Sequence, residues 1–191
     1  MSTLKISALA AALALVLNAA DAADAPRYGQ PMTAADLAPW DISIAPDGVG
    51  LPPGSGTPAQ GAVVYAERAC ALCHGEKGSG GPSGPLVGGG PLNSTDRDPA
   101  KLIGNYWPYA TTIFDFTRRA MPWQQPKTLT DDEVYALTAY ILALNKIIPE
   151  DSVLDAKSLP QVKMPNRDNF IVWDQDKVDY EPVRPTGPAM R

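Results

Sequence analysis

Residues 69–78 read ACALCHGEKG and hold both cysteines, Cys70 and Cys73, and the single histidine, His74, of a 191-residue chain. Two thiols two residues apart with an imidazole directly behind them suit three chemistries: half of a zinc site, a redox-active dithiol, or covalent haem attachment. A structural zinc ion wants four ligands, usually cysteine or histidine from two separated places, and the whole chain offers three such residues. A thioredoxin-like dithiol opens a helix within alternating strands and helices, whereas here the motif follows a helical segment and no such alternation exists. Haem attachment uses all three residues at once. Each thiol adds to one vinyl group of the porphyrin, and the adjacent histidine is held over the iron.

The sixth iron ligand follows by elimination. With one histidine in the chain, bis-histidine ligation is excluded and methionine is the natural partner. Of five methionines, Met1 belongs to the leader, Met32 precedes the domain and Met190 is one residue from the end. Met121 and Met164 remain. Met121 lies 47 residues after His74, between two predicted helices, and is favoured; Met164 lies beyond the last predicted helix and reads as a core filler or a surface residue.

Outward from the motif, TPAQGAVVYAERAC predicts a helix over 57–70, with Thr57 as N-cap, Pro58 at the first helical position, and Val64, Tyr65 and Ala69 on a common face. The following GEKGSGGPSGPLVGGGPL is rich in turn formers and predicts a loop. PYATTIFDFTRRA predicts a second helix over Pro108–Ala120, ended by Met121-Pro122. The third, from Thr130 to about Asn145, has the capping box Thr130-Asp131-Asp132-Glu133, a Leu129–Val134 staple, and Val134, Leu137, Ile141 and Leu144 at helical spacing. Its three acids read as a solvated first turn that complements the helix dipole and carries no proton chemistry.

The ends complete the organisation. Residues 1–22 carry Lys5, an apolar run from Ile6 to Leu17 and an A-x-A site at Ala20–Ala22, as in a signal peptide cleaved after Ala22; the run is too short for a membrane span, which needs about 20 residues. Residues 23–56 predict an extended arm, with a short helix near Thr33–Leu37, turns at Pro46-Asp47-Gly48 and Pro53-Gly54, and a strand-like alternation of Trp40, Ile42 and Ile44. Residues 57–145 form the predicted domain, and 146–191 a proline-punctuated tail wrapped over it rather than a further core. The net charge is −5, and the leader removes one lysine and one aspartate, so it is unchanged. This balance argues against nucleic acid as a partner. Sixteen glycines and 20 prolines imply long irregular loops around a compact centre.

Taken together, G-x-x-x-Y before CALCH, GPLVGG after it, AMPW and LTDDEVYALTAYILALN resemble class I cytochrome c over residues 57–145. The resemblance implies an all-α fold of about three to four helices around one covalent haem c, with terminal helices crossing at Gly61 and Tyr140. It also implies a proline carbonyl, from Pro82 or Pro85, accepting the N–H of the axial His74. Tyr65 stands five positions before Cys70, one more than is common in that family. WDISIAPDGVGLPPGSGTPAQG, IGNYWPYATTIFDFTRRAMPW and ALNKIIPEDSVLDAKSLPQVKMPNRDNF are similar to the cytochrome subunits of periplasmic sulfite or sulfur dehydrogenases. That likeness implies a periplasmic one-electron carrier, a molybdenum-cofactor dehydrogenase subunit as partner, and a downstream cytochrome or terminal oxidase. A carrier serving another dehydrogenase, or a haem enzyme or ligand sensor, is the alternative.

On this reading Cys70 and Cys73 hold the haem, and His74 and Met121 ligate iron. Tyr65, Leu86, Ile113 and Tyr140 wall the porphyrin. Tyr106, Trp107, Arg118, Arg119 and Trp123, all donors flanking the methionine loop, are candidates for its propionates.

Overall fold

The computed structural model describes residues 29, 31–92 and 98–170. The expected leader 1–22, residues 23–28 and 30 of the arm, and residues 171–191 of the tail lie outside the described residues. The described residues fall into two units, one ending at Asp41 and the other running from Ile42 to Phe170. In the first, Thr33 caps a single turn, α1 (Ala34–Leu37), by a reciprocal capping box with Asp36.

The second unit is built on three helices: α2 (Pro58–Glu67), α4 (Ala110–Ala120) and α5 (Asp131–Leu144), with the CxxCH motif on a separate turn, α3 (Ala71–His74). Thr57 caps α2 with Gln60, and Thr130 caps α5 with Glu133, as the sequence pattern requires. Helix α2 is shorter than predicted. Ala69 adopts φ +55°, Ala69 N–H returns to the Ala66 carbonyl, and Cys70 N–H returns to that of Tyr65, a Schellman ending without its usual glycine. Helix α4 also starts later than predicted: Tyr109 is extended (φ −136°, ψ 135°), its ring lies 4.4 Å from the Arg167 guanidinium, and Pro108 stays outside the helix.

Helices α2 and α5 cross at Gly61, where a Cβ would collide with the Ala136 carbonyl and crowd Tyr140 Cβ. The Tyr65 and Tyr140 rings meet beside this crossing at 5.4 Å. Beyond it lies the core, in which Phe114 and Tyr135, both 0% exposed, pack with ring centroids 4.5 Å apart and planes tilted by 50°, with Ile113, Val134 and Leu142 around them. The first turn of α5 is not a merely solvated cap. Asp131 pairs with Arg118 at 3.1 Å, Asp132 accepts from the Ser55 N–H at 2.8 Å, and Glu133 clasps Arg68.

The arm from Ile42 forms no strand over the predicted alternation. Its carbonyls are consumed by side chains instead: Arg119 donates to Ile42 O at 2.9 Å, Thr111 to Pro46 O at 3.4 Å, and Tyr135 Oη to Pro52 O at 2.9 Å. Only then does β1 (Ser55–Gly56) pair antiparallel with β2 (Leu154–Asp155), Ser55 opposite Asp155. The tail wraps, but it also enters the core, which the sequence reading did not expect. Leu154, Leu159 and Met164 are buried among the residues of α4 and α5, so the tail completes the same apolar centre. Among the described residues no helix is long and apolar enough to cross a membrane.

Candidate haem-binding site

The left-handed Ala69 turns the chain off α2, and Gly75 (φ +80°, ψ 162°) stops α3. Between these two breaks the CxxCH motif forms one turn, with Cys73 N–H bonded to Cys70 O at 3.2 Å and His74 N–H to the same oxygen at 3.0 Å. This turn opens on a cavity of about 650 Å³. Cys70, Cys73 and His74 line one part of it. Tyr65 comes from α2 and Arg68 from its C-cap, Ser83 to Leu86 from the glycine-rich loop, Ile113, Phe116 and Thr117 from α4, and Leu137 and Ile141 from α5. Met121, at the C-cap of α4, lines the same space, held by its N–H on Thr117 O at 3.1 Å.

His74 is oriented by one bond. Its Nδ1 lies 2.9 Å from the carbonyl oxygen of Gly84. As a donor there, Nδ1 leaves Nε2 with its lone pair free for a metal. The acceptor is thus neither Pro82 nor Pro85 but Gly84, directly before Pro85, because Ser83 N–H is tied to Cys73 O and Leu86 N–H to Gly78 O, which turns the Gly84 carbonyl toward the ring. Both cysteines are free thiols. Burial pushes the Cys70 thiol above its ordinary value, aided by Cys73, and pushes the Tyr65 phenol up to about 12, with Cys70 and Tyr140 adding to it. Tyr65 Oη donates to the Gly75 carbonyl at 2.8 Å.

The structure divides the remaining sequence candidates. Trp107 and Trp123 line the cavity. Tyr106 does not: its ring packs on Phe170 at 5.4 Å. Arg118 is turned to Asp131, and Arg119 is held by both oxygens of Asp115 at 2.8 and 2.9 Å and by Ile42 O. These two arginines tie α4 to α5 and to the arm, and neither lines the cavity. Tyr140 lies behind Tyr65, and its expected place in the wall is taken by Leu137 and Ile141, one turn apart on α5. Met164, 1% exposed, fills the core.

Two cations in the wall, Arg68 and Lys101, escaped the sequence reading. Arg68 sits two residues before Cys70, and its partner Glu133 stands 65 positions on, so only its nearness to the motif pointed to it. Its Nε and Nη2 both reach Glu133 Oε1, at 2.9 and 2.6 Å, while Oε2 accepts the Thr130 N–H at 2.7 Å. Burial acts to raise the Glu133 carboxyl, but the Thr130 N–H and the Arg68 guanidinium outweigh it, and the group lies below its usual range.

Two free thiols, an imidazole with one nitrogen anchored, a thioether and a largely apolar box form a donor set that fits haem c. The family described as "Cytochrome C oxidase, cbb3-type, subunit III" matches residues 56–141. The chain belongs to the c-type cytochromes, electron-transfer proteins whose family carries haem c bound covalently. Within that class it is similar to a chain in the crystal structure of the sulfane dehydrogenase SoxCD from Paracoccus pantotrophus, at 37% identity and a TM-score of 0.69, covering 85% of this chain and 79% of that one. No curated protein matches the chain.

Proposed function

We propose that this protein is the single-haem electron-transfer subunit of a periplasmic dehydrogenase that oxidises sulfur compounds. Cys70 and Cys73 would hold the haem covalently, His74 Nε2 and Met121 Sδ would ligate its iron, and Trp107 and Trp123 would offer indole N–H groups to its propionates. The observation that carries this reading is the convergence of His74 and Met121, distant in sequence, on one cavity with both thiols. When bound, haem c supplies a one-electron iron couple.

The chain's own residues set the terms of that couple. Gly84 O raises the basicity of His74 through the Nδ1 hydrogen bond. A thioether as second ligand raises the potential relative to two nitrogens. The apolar wall of Ile113, Leu137 and Ile141 excludes water and disfavours added positive charge. Similarity to the SoxCD chain supports a molybdenum-cofactor dehydrogenase subunit as electron donor; a downstream cytochrome or terminal oxidase then takes the electrons onward. Residues 1–22 serve as the export signal.

Visible spectra of the purified protein, oxidised and dithionite-reduced, with a pyridine haemochrome assay, test the cofactor and its number. One haem with a low-spin, methionine-ligated spectrum that ignores carbon monoxide is expected. Met121→Ala is expected to lose that spectrum and bind carbon monoxide. Wild-type protein that already binds it readily overturns the electron-carrier reading in favour of a haem enzyme or sensor. Rapid, salt-sensitive reduction by a co-purified sulfite- or sulfane-oxidising subunit supports the pairing, and slow, salt-insensitive reduction rejects it.

A further inference from the structure

The loop that orients His74 is itself held from the C-terminal end of α5. Asn145, the C-cap of α5, donates from Nδ2 to Leu86 O at 2.9 Å and to Ile141 O at 2.8 Å, and its Oδ1 accepts the Gly88 N–H at 3.3 Å. A helix C-cap needs none of the loop bonds: the α5 ending is already closed by Lys146 N–H on Ala143 O and Ile147 N–H on Leu142 O. The side chain instead pins residues 86 and 88 of a loop whose glycines and prolines give it little regular bonding of its own. Between this pin and the Ser83–Cys73 bond lies Gly84, whose carbonyl receives His74 Nδ1.

We infer that Asn145 is a positioning residue for the axial histidine: by fixing Leu86 and Gly88 it sets the Gly84–His74 hydrogen bond and through it the reduction potential of the iron. This rests on the haem reading proposed above. A strong Nδ1–H···O bond makes the imidazole a better electron donor and favours oxidised iron, so loosening the carbonyl shifts the potential upward. The effect reaches His74 without Asn145 touching it.

The test uses the holoprotein, wild type and two variants. Asn145→Ala removes all three bonds. Asn145→Asp keeps the acceptor for Gly88 N–H but loses both donations, and it serves if the alanine variant does not fold. The wild-type haemochrome comes first: without haem, the cofactor reading itself fails and this inference falls with it. With haem present, exchange of the His74 Nδ1 proton is followed by NMR of the reduced protein, and the potential by spectroelectrochemistry. Loss of an anchored hydrogen bond predicts exchange faster by about tenfold in both variants. The potential of Asn145→Ala is expected to rise, with the methionine-ligated spectrum retained. Unchanged exchange and potential, even with a lowered melting temperature, overturn the proposal and leave Asn145 a helix cap.

Discussion

Part of the cavity wall is helix and part is loop, and the two are fastened by different means. Tyr65, Leu137 and Ile141 belong to α2 and α5, whose crossing is fixed by backbone approach at Gly61 and by burial of the α5 face in the core. Ser83, Gly84, Pro85 and Leu86 belong to a segment with no helix or strand, held by single hydrogen bonds, from Ser83 N–H to Cys73 O, from Leu86 N–H to Gly78 O and from Asn145 Nδ2 to Leu86 O. Packing energy grows with area, so the helical part is stable as a unit. Each loop bond contributes only about 1 kcal/mol, so the loop part depends on several small ties acting together.

The largest expected effect breaks the helical part. Gly61→Val forces the crossing apart, because even a Cβ there collides with the Ala136 carbonyl, and backbone does not yield as a side chain can. A loss of at least about 3 kcal/mol is expected. Urea denaturation checks it, with loss of the whole transition as the extreme outcome. Gly75→Ala is the counterpart in the loop. Its φ and ψ lie in a region nearly exclusive to glycine, and a Cβ collides with the Ser79 carbonyl. The cost is expected to be about 2 to 3 kcal/mol. Hydrogen exchange separates the two variants: Gly75→Ala should deprotect amides of residues 75–88 while α5 stays protected. Equal deprotection of both regions would show that the two parts are not separate.

That difference also decided what the sequence disclosed. The capping boxes of α2 and α5 and the spacing of Val134, Leu137 and Ile141 are local patterns, and the helices formed where those patterns stood. The α2 ending was not visible because Ala69, not a glycine, takes the left-handed position. Cys70, Cys73, His74 and Met121, singled out in the sequence by residue type, scarcity and, for Met121, its place between two helices, line one cavity. The acceptor at Gly84, the Arg68–Glu133 clasp and the tail residues in the core depend on distant partners. Arg118 and Arg119 had the right chemistry for propionates, but Asp131 and Asp115 claim them. No single-segment pattern carries that information.

A third, smaller effect tests how the motif is tied to the helical part. Glu133→Gln weakens the Arg68 clasp and is expected to cost about 1.5 kcal/mol at neutral pH. Because the folded carboxyl lies below its ordinary 4.5, its contribution is present above that pH and is lost as pH falls through the lowered value. Wild type should therefore lose stability on the acid side of 4.5 more steeply than Glu133→Gln. Parallel acid profiles from urea midpoints would mean that the clasp is not formed in solution.

The smallest effect concerns a side chain of the wall that reaches from the helical part to the loop. Tyr65 stands on α2, packs on Tyr140 of α5, and donates its hydroxyl to the Gly75 carbonyl where the loop begins. Tyr65→Phe keeps the ring and removes only that bond, so about 1 kcal/mol is expected at neutral pH. Alkaline pH isolates the hydroxyl. Tyr65 and Tyr135 are both pushed up from 10 to about 12, chiefly by burial, so their contribution is complete below 10 and is lost as the unfolded chain ionises first between those limits. Tyr65→Phe should remove its own share of that alkaline loss and leave the Tyr135 share, so its stability should approach that of wild type as pH rises. A constant gap across the range would place the Tyr65 hydroxyl in water in the folded protein, and Tyr65 would then join helix and loop by the packing of its ring alone, leaving Asn145 as the hydrogen-bonded tie.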